Sequence, residues 1–343
     1  MQIWRTSLWL AAVCGLSVAW AQTSPQPLPG APQEEVIVAA PEPRYVAPTL
    51  RDRIGRVWAP VYINGQGPLR LVLDTGASAS AVTALAAERL GLSVAGARTV
   101  LLRGVTGAKD VPIVEVDRIE FGDLTVEPAK LLVIDDAFGG AEGVLAGRGL
   151  NDRRIHIEFR KDRIDIRRSR NQRAGPGFTT LPVKLIRGHV PTVDAGVGRI
   201  RVKAVIDTGA QLTMGNLALR EALLKSRRLE DQSDEIVGVT GDSQVGPTSS
   251  VPPILLGDVL VRNVQITFVD LHIFKHWRLT DEPALLIGMD VLGVLDTLIL
   301  DYRRREMQIR LVRGGSRLAR LRQQRADYEQ GRNDYGRAPR RYE

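Results

Sequence analysis

Cysteine is almost absent: the 343-residue chain has one, Cys14. A lone cysteine forms no internal disulfide, and it excludes zinc sites built from four cysteines or from paired cysteines with paired histidines. Histidine is scarce too, at positions 156, 189, 272 and 276, and the four follow no triad pattern. His272 and His276 stand four apart, but Ile273, Phe274 and Trp277 around them read as packing, and no Glu lies between them as in a zinc peptidase helix. No metal is expected. The sequence also lacks a Gly-x-Ser-x-Gly nucleophile turn and a phosphate-cradling glycine loop, so no cofactor is expected. Lysine occurs at only seven positions among 47 basic residues, leaving arginine to carry the positive charge. The net charge of +8 permits an anionic partner without arguing for one. Half of it lies in residues 314–343, where eight Arg face four acids; this reads as a solvated basic tail, and no nucleic acid partner is expected.

Long apolar runs are missing as well. The longest, Leu8 to Trp20, falls short of the roughly 20 residues that span a bilayer. With Arg5 before it and Ala19-Trp20-Ala21 after it, residues 1–21 read as a secretory signal that takes Cys14 with it, and the expected location is periplasmic or secreted. No stable membrane span is expected in the mature form. Residues 22–50 carry Pro at 25, 27, 29, 32, 41, 43 and 48 and read as an extended leader, within which Val36-Ile37-Val38 is a candidate edge strand.

What is present is a repeat. Asp74-Thr75-Gly76-Ala77 recurs as Asp207-Thr208-Gly209-Ala210, 133 residues on. At average residue usage such a tetrapeptide appears about once in 10⁵ positions. Gly104-Val105-Thr106-Gly107 recurs as Gly238-Val239-Thr240-Gly241, Phe121-Gly122-Asp123 as Leu256-Gly257-Asp258, and Val144-Leu145-Ala146-Gly147 as Leu285-Leu286-Ile287-Gly288, at slowly growing offsets. Two copies of one lobe, the second with a few inserted residues, explain this. The copies are expected at 51–167 and 181–313, joined by a polar linker over 168–180. Apolar strands lead into each Asp, and Val82–Leu90 and Leu217–Leu224 carry helical spacing. Late in each copy a strand, a basic turn and a return strand read as a closing hairpin. The class is mostly β, with one short helix per lobe.

Each Asp ends an apolar strand and precedes a tight turn, which sets a carboxylate at the mouth of a loop backed by core. If the copies pack about a pseudo-twofold axis, Asp74 and Asp207 meet. Two carboxylates about 3 Å apart cannot both ionise, so the pair shares a proton, and one member serves as base to a water while the other serves as acid.

These motifs resemble those of the aspartic peptidase clan, in particular its retropepsin-like branch, fused into one two-lobed chain over roughly residues 55–313. The resemblance implies two β-barrel lobes in an acid-protease fold and an endopeptidase acting on a polypeptide substrate. It implies Asp74 and Asp207 as catalytic residues, supported by Thr75 and Gly76, and by Thr208 and Gly209, with each Thr bonded across to the opposite loop. Gly104, Val105, Thr106 and Gly107, and Gly238, Val239, Thr240 and Gly241, would be flap tips over the substrate, and Gly147 and Gly288 would lie beneath the Asp loops. The fused lobes make a monomer sufficient for catalysis. The chain departs from the family pattern at Ser78 and Gln211, where retroviral members often carry an acid, and at Ala77 and Ala210, where pepsin-like members carry a hydroxyl. Fewer hydroxyl donors imply higher dyad pKa values and a mildly acidic optimum. The alternative from another class is a non-catalytic peptide-binding module on the same two lobes.

Overall fold

Along Trp58-Ala59-Pro60-Val61-Tyr62-Ile63 every second side chain, Ala59, Val61 and Ile63, is buried, the period-two pattern of a strand with one face on a core. Asn64 and Gly65 follow with φ of 51° and 76°, a two-residue left-handed turn that returns the chain as a hairpin. Repeated down the sequence, such patterns yield a mostly β fold among the described residues.

The computed structural model describes residues 58–311 except 123, 136–139, 149, 151, 162, 227–228 and 239, together with two short strands, β1 (Val36–Ile37) and β2 (Pro41–Glu42). The expected signal, the rest of the leader and the basic tail lie outside the described residues. Everything below belongs to the unit Glu34–Glu343.

The first lobe contains β3 (Trp58–Ile63), β4 (Gln66–Asp74), β5 (Ala81–Thr83), helix α1 (Ala84–Arg89), β6 (Thr99–Arg103), β7 (Ala108–Val116), β8 (Ile119–Phe121), β9 (Leu124–Val126), β10 (Ala129–Ile134) and β11 (Gly143–Ala146). Then come β12 (Arg153–Glu158), β13 (Arg163–Arg168) and β14 (Thr179–Pro182). The second lobe contains β15 (Lys184–Ile186), β16 (Val190–Val197), β17 (Ile200–Ile206), β18 (Met214–Gly215), α2 (Leu217–Leu224), β19 (Asp231–Gly238), β20 (Ser243–Ser250), β21 (Ile254–Leu256), β22 (Val259–Val261), β23 (Gln265–Phe268), α3 (His272–Trp277), β24 (Ala284–Ile287) and α4 (Met289–Leu292), and the chain ends in β25 (Thr297–Asp301) and β26 (Glu306–Arg310).

The strand order of the first lobe is β1-β6-β7-β10-β5-β11-β4-β3-β8-β9, and that of the second is β2-β19-β20-β23-β18-β24-β17-β16-β21-β22, with β15 on β16. The two orders match place by place, and in sense as well except at the outermost pairing, where β1 joins β6 in parallel and β2 joins β19 in antiparallel sense. β4 runs parallel to β11 as β17 does to β24, and β5 runs antiparallel to β11 as β18 does to β24. The repeat in the sequence is thus a repeat of topology. A third sheet, β13-β12-β25-β26-β14, interleaves strands from both halves; the two late hairpins of the repeat meet here as β12 against β25, with Ile155 opposite Leu300. One apolar cluster extends from Leu71 and Leu131 through Ile155 and Leu298 to Ile206 and Leu285.

α1 and α2 are the repeated helices. Each is started by a capping side chain: Thr83 accepts from Ala86 N–H at 3.2 Å and Asn216 from Leu219 N–H at 2.9 Å, satisfying donors that a first turn leaves open. The second lobe adds α3 and α4. The connection from β23 to β24, residues 269–283, is longer than its counterpart between β10 and β11, and Ile273, Phe274 and Trp277 bury the apolar face of α3 in it. That insertion accounts for the growth of the repeat offset late in the chain.

Candidate active site

Asp74 closes β4 and Asp207 follows β17, each strand lying between two neighbours of its sheet, with Leu71, Val72, Leu73, Val205 and Ile206 fully buried beside them. The chain then turns sharply. Gly76 and Ala77 N–H groups donate to Asp74 Oδ1, both at 2.8 Å, and Gly209 and Ala210 N–H groups donate to Asp207 Oδ1 at 2.9 and 3.1 Å. Each carboxyl is held by one oxygen. The other, Oδ2, is buried in both residues and receives no donor from another described residue.

The threonines lock the two loops together. Thr75 Oγ1 donates to Ile206 O at 2.6 Å and accepts from Thr208 N–H at 3.2 Å; Thr208 Oγ1 donates to Leu73 O at 2.6 Å and accepts from Thr75 N–H at 3.2 Å. This reciprocity is a local twofold relation between the lobes. It also leaves little space, for a Cβ on Gly209 would overlap the Asp74 carboxyl.

Gly147 and Gly288 lie just past the ends of β11 and β24. Gly147 N–H donates to Asp74 O at 2.9 Å, and a Cβ there would stand 3.1 Å from Thr75 O. At Gly288 a Cβ would stand 2.6 Å from Leu212 O, a closer collision with backbone. The Gly288 turn is braced by Thr213, whose Oγ1 accepts Gly288 N–H at 3.1 Å and donates to Asp290 Oδ1 at 2.7 Å.

Both aspartates are wholly inaccessible, at 0% exposure. Burial is the first cause of their altered acidity, because a charged carboxylate loses its hydration there. Asp207 is pushed up to about 7, against the downward pull of its two N–H donors. Asp74 is pushed well above the carboxylate range by burial and then by the charge of Asp207. The two carboxyls influence each other's acidity, so their protons come off as those of a pair.

Two hairpins, one from each lobe, meet at their tips. β6 and β7 turn through Gly104–Gly107, with Gly104 N–H donating to Gly107 O at 2.8 Å, and β19 and β20 turn through the corresponding segment. Val239 lies outside the described residues; Gly238 ends β19, and Thr240 and Gly241 follow, Gly241 with φ of 82°. The tips touch. Thr106 Oγ1 donates to Asp242 O at 2.9 Å, and Gln244 Nε2 donates to Thr106 O at 3.2 Å. Val105 is fully buried in an apolar cluster of the second lobe with Val205, Ala210, Met214, Ile236 and Phe274.

A family model described as aspartyl protease matches residues 59–150 and 192–291, more than half of the chain and one segment in each lobe. The chain belongs to the aspartyl protease family. Comparison with curated proteins returns no match. Several residues at the site carry no signal in the repeat. Asp242 and Gln244 of the second tip have no counterparts of their type in the first, and the contact that selects them spans more than 130 residues. Tyr302 is another. Its hydroxyl is buried without a described hydrogen-bond partner, lies 3.2 Å from where a Cβ on Gly147 would stand, and has its pKa raised by burial and by the charge of Asp74. The only hint was its place in an apolar strand end where the first copy has Phe159.

Beside the Asp74 loop a cavity of about 250 Å³ is lined by Ser78, Ala79, Ile113 and Leu145, with Lys130 and Arg148 at its polar side. His272 Nε2 lies 3.2 Å from Arg103 Nη1, and His276 Nδ1 lies 3.4 Å from Arg187 Nη2. Among the described residues no group of three or more His, Cys, Asp or Glu is placed to hold a metal ion, and no helix is long and apolar enough to cross a membrane.

Proposed function

We propose that this chain is an aspartic endopeptidase that hydrolyses peptide bonds with a water activated by Asp74 and Asp207, with no cofactor. The observation that carries the reading is the pair of buried carboxyls, each fixed through Oδ1 by two backbone N–H groups and each with an undonated Oδ2, on loops that Thr75 and Thr208 bond together. Asp207, ionised, takes a proton from water as the oxygen attacks the scissile carbonyl; Asp74 gives its proton to the carbonyl oxygen. The tetrahedral diol then collapses as Asp74 takes back a hydroxyl proton and Asp207 gives its proton to the departing amine, which restores the starting protonation of the pair. The threonine cross-bonds hold the carboxyls in register for both transfers. Since one chain supplies both aspartates, a monomer suffices. The cavity beside Ser78 supports an apolar side-chain subsite in the first lobe. The expected signal at 1–21 supports action outside the cytoplasm.

Desolvation is the largest upward influence on both carboxyls, and admitting water and substrate reduces it. The working pair therefore titrates below its closed-state range, consistent with a mildly acidic optimum. The test is turnover of a peptide library from pH 4 to 7 by the wild type, Asp74→Asn and Asp207→Asn. The expectation is a bell-shaped profile for the wild type and a loss of about 10²–10⁴-fold or more in each variant. Equal cleavage by all three overturns the dyad; peptide binding by a wild type that cleaves nothing assigns the fold to a binding module instead.

A further inference from the structure

The cavity beside the Asp74 loop has two kinds of wall. Ile113, Leu132 and Leu145 give it an apolar lining, and Ser78, four residues after Asp74, joins it to the dyad loop. Its charged residues are Lys130 and Arg148, both exposed, and no acidic residue lines it. Lys130 Nζ lies 3.7 Å from Glu115 Oε1, across the pairing of β10 with β7. Arg148 forms no ion pair with a described carboxylate. Its charge reaches the second lobe, where His189, in the turn between β15 and β16, is buried and donates Nδ1–H to Arg187 O at 3.0 Å. Burial lowers the pKa of His189 against the pull of that hydrogen bond, and the charges of Arg148 and Arg187 lower it further with no acidic side chain to offset them. In an open cleft water screens such a charge. Once a peptide covers the cavity the screening falls, and a carboxylate becomes the favoured partner.

The second lobe has no such charge at the corresponding places. Counted from each aspartate, Ser78 and Ala79 correspond to Gln211 and Leu212; counted from Gly147 and Gly288, Arg148 corresponds to Met289. Strand register supplies the remaining match. Leu132 stands opposite Ala81 as Thr267 stands opposite Met214, so Lys130 corresponds to Gln265. Both cations of the first lobe are therefore replaced by uncharged residues, with Met289 buried and Leu212 41% exposed. Two identical half-sites about a twofold axis cannot distinguish the two directions of a peptide. These two half-sites differ by two positive charges.

We propose that the first-lobe cavity receives a glutamate side chain of the substrate, its stem on the apolar lining and its carboxylate on Arg148, while the second-lobe half-site takes an uncharged side chain. The cleft then accepts a peptide in one direction. The turnover arm of this proposal rests on the peptidase reading; the binding arm does not. The test uses peptides acetylated at one end and amidated at the other, so that only a side chain supplies a carboxylate. Glu, Gln, Leu and Lys are placed in turn at each position on both sides of the cleaved bond. The peptides are offered at about pH 6, where a free Glu is ionised, to the full-chain wild type and to Arg148→Lys, Arg148→Gln and Arg148→Glu. The same peptides with an uncharged label are titrated into each protein carrying Asp207→Asn, at low and high salt.

The expected result is one position, on one side of the bond, where Glu exceeds Gln by about tenfold in kcat/KM, carried mainly by KM, as one charge-assisted hydrogen bond would give. Arg148→Lys keeps most of that preference, Arg148→Gln levels Glu with Gln, and Arg148→Glu favours Lys there. Binding shows the same order and weakens with salt. Equal turnover and equal binding of Glu and Gln peptides by the wild type overturn the acidic preference and leave the peptidase reading intact if cleavage occurs. A Glu preference that survives in Arg148→Gln also overturns it, and Glu preferences on both sides of the bond overturn the single direction. If no protein cleaves any peptide while Glu peptides bind in an Arg148-dependent way, the acidic half-site stands and the peptidase reading falls.

Discussion

At Asp207 a carboxyl whose ordinary pKa is 3.8 is held at about 7, chiefly by burial, and this has a consequence for stability apart from chemistry. Between about pH 4 and pH 7 the folded chain keeps a proton that the unfolded chain has released, so stability falls as pH rises through that window and is greatest below it. A shift of this size corresponds to a few kcal/mol, at about 1.4 kcal/mol for each pKa unit. Asp207→Asn keeps the acceptor for Gly209 and Ala210 N–H while removing the titration. Its melting temperature is expected to exceed that of the wild type at pH 7 to 8, with the two converging near pH 4. Thermal melts of both proteins across this range check it, and a pH-independent difference contradicts it. The residue proposed to act as base is thus one that the fold holds at a cost.

On the scale of elements, two loops from opposite lobes share four hydrogen bonds through Thr75 and Thr208, all fully buried. Replacing either Thr by Val leaves a carbonyl and an N–H of the facing loop unpaired, which costs about 1–3 kcal/mol, whereas Ser keeps the hydroxyl. Chemical denaturation is expected to rank wild type and Ser variants above both Val variants, with similar losses for Thr75→Val and Thr208→Val because the bonds are reciprocal; a loss confined to one of them contradicts the symmetry. These loops were legible in the sequence because their chemistry is local: the strand, the carboxylate and the turn glycine occupy four adjacent residues, and the whole set occurs twice. α1 and α2 were legible for the same reason. The tips were legible as glycine-flanked turns, yet their asymmetry was not. Nothing near Thr106 indicates that Asp242 and Gln244 will receive it, and nothing in the leader says which strands β1 and β2 will join. α3 escaped because its period is short and its apolar face was readable only as packing of an undefined kind.

The whole molecule depends on the sheet in which the lobes interleave. There Arg154 of β12 donates to Asp301 of β25 at 3.0 Å and to Gln308 of β26 at 2.8 Å. The Asp301 side chain is fully buried and that of Arg154 is 11% exposed. Asp301 also accepts from Ser169 Oγ at 2.9 Å and from Arg304 N–H at 3.0 Å, so one carboxylate ties β25 to the end of the first half and to the turn after itself. Such a pair contributes little relative to an apolar replacement of both partners, but removing one partner strands a buried charge at a cost of about 3–5 kcal/mol. Arg154→Met is therefore expected to lower the unfolding free energy by about that amount, and Arg154→Met/Asp301→Asn to recover part of it because the stranded charge is gone. Urea denaturation of the three proteins checks this. Changes within about 0.5 kcal/mol in both variants, the range of an ordinary surface site, would place the junction of the lobes elsewhere, in the apolar contact of Ile155 with Leu300. Since the dyad exists only while the lobes stay in register, the single variant is expected to lose peptide turnover at temperatures below its melting transition if the junction loosens locally before the lobes unfold.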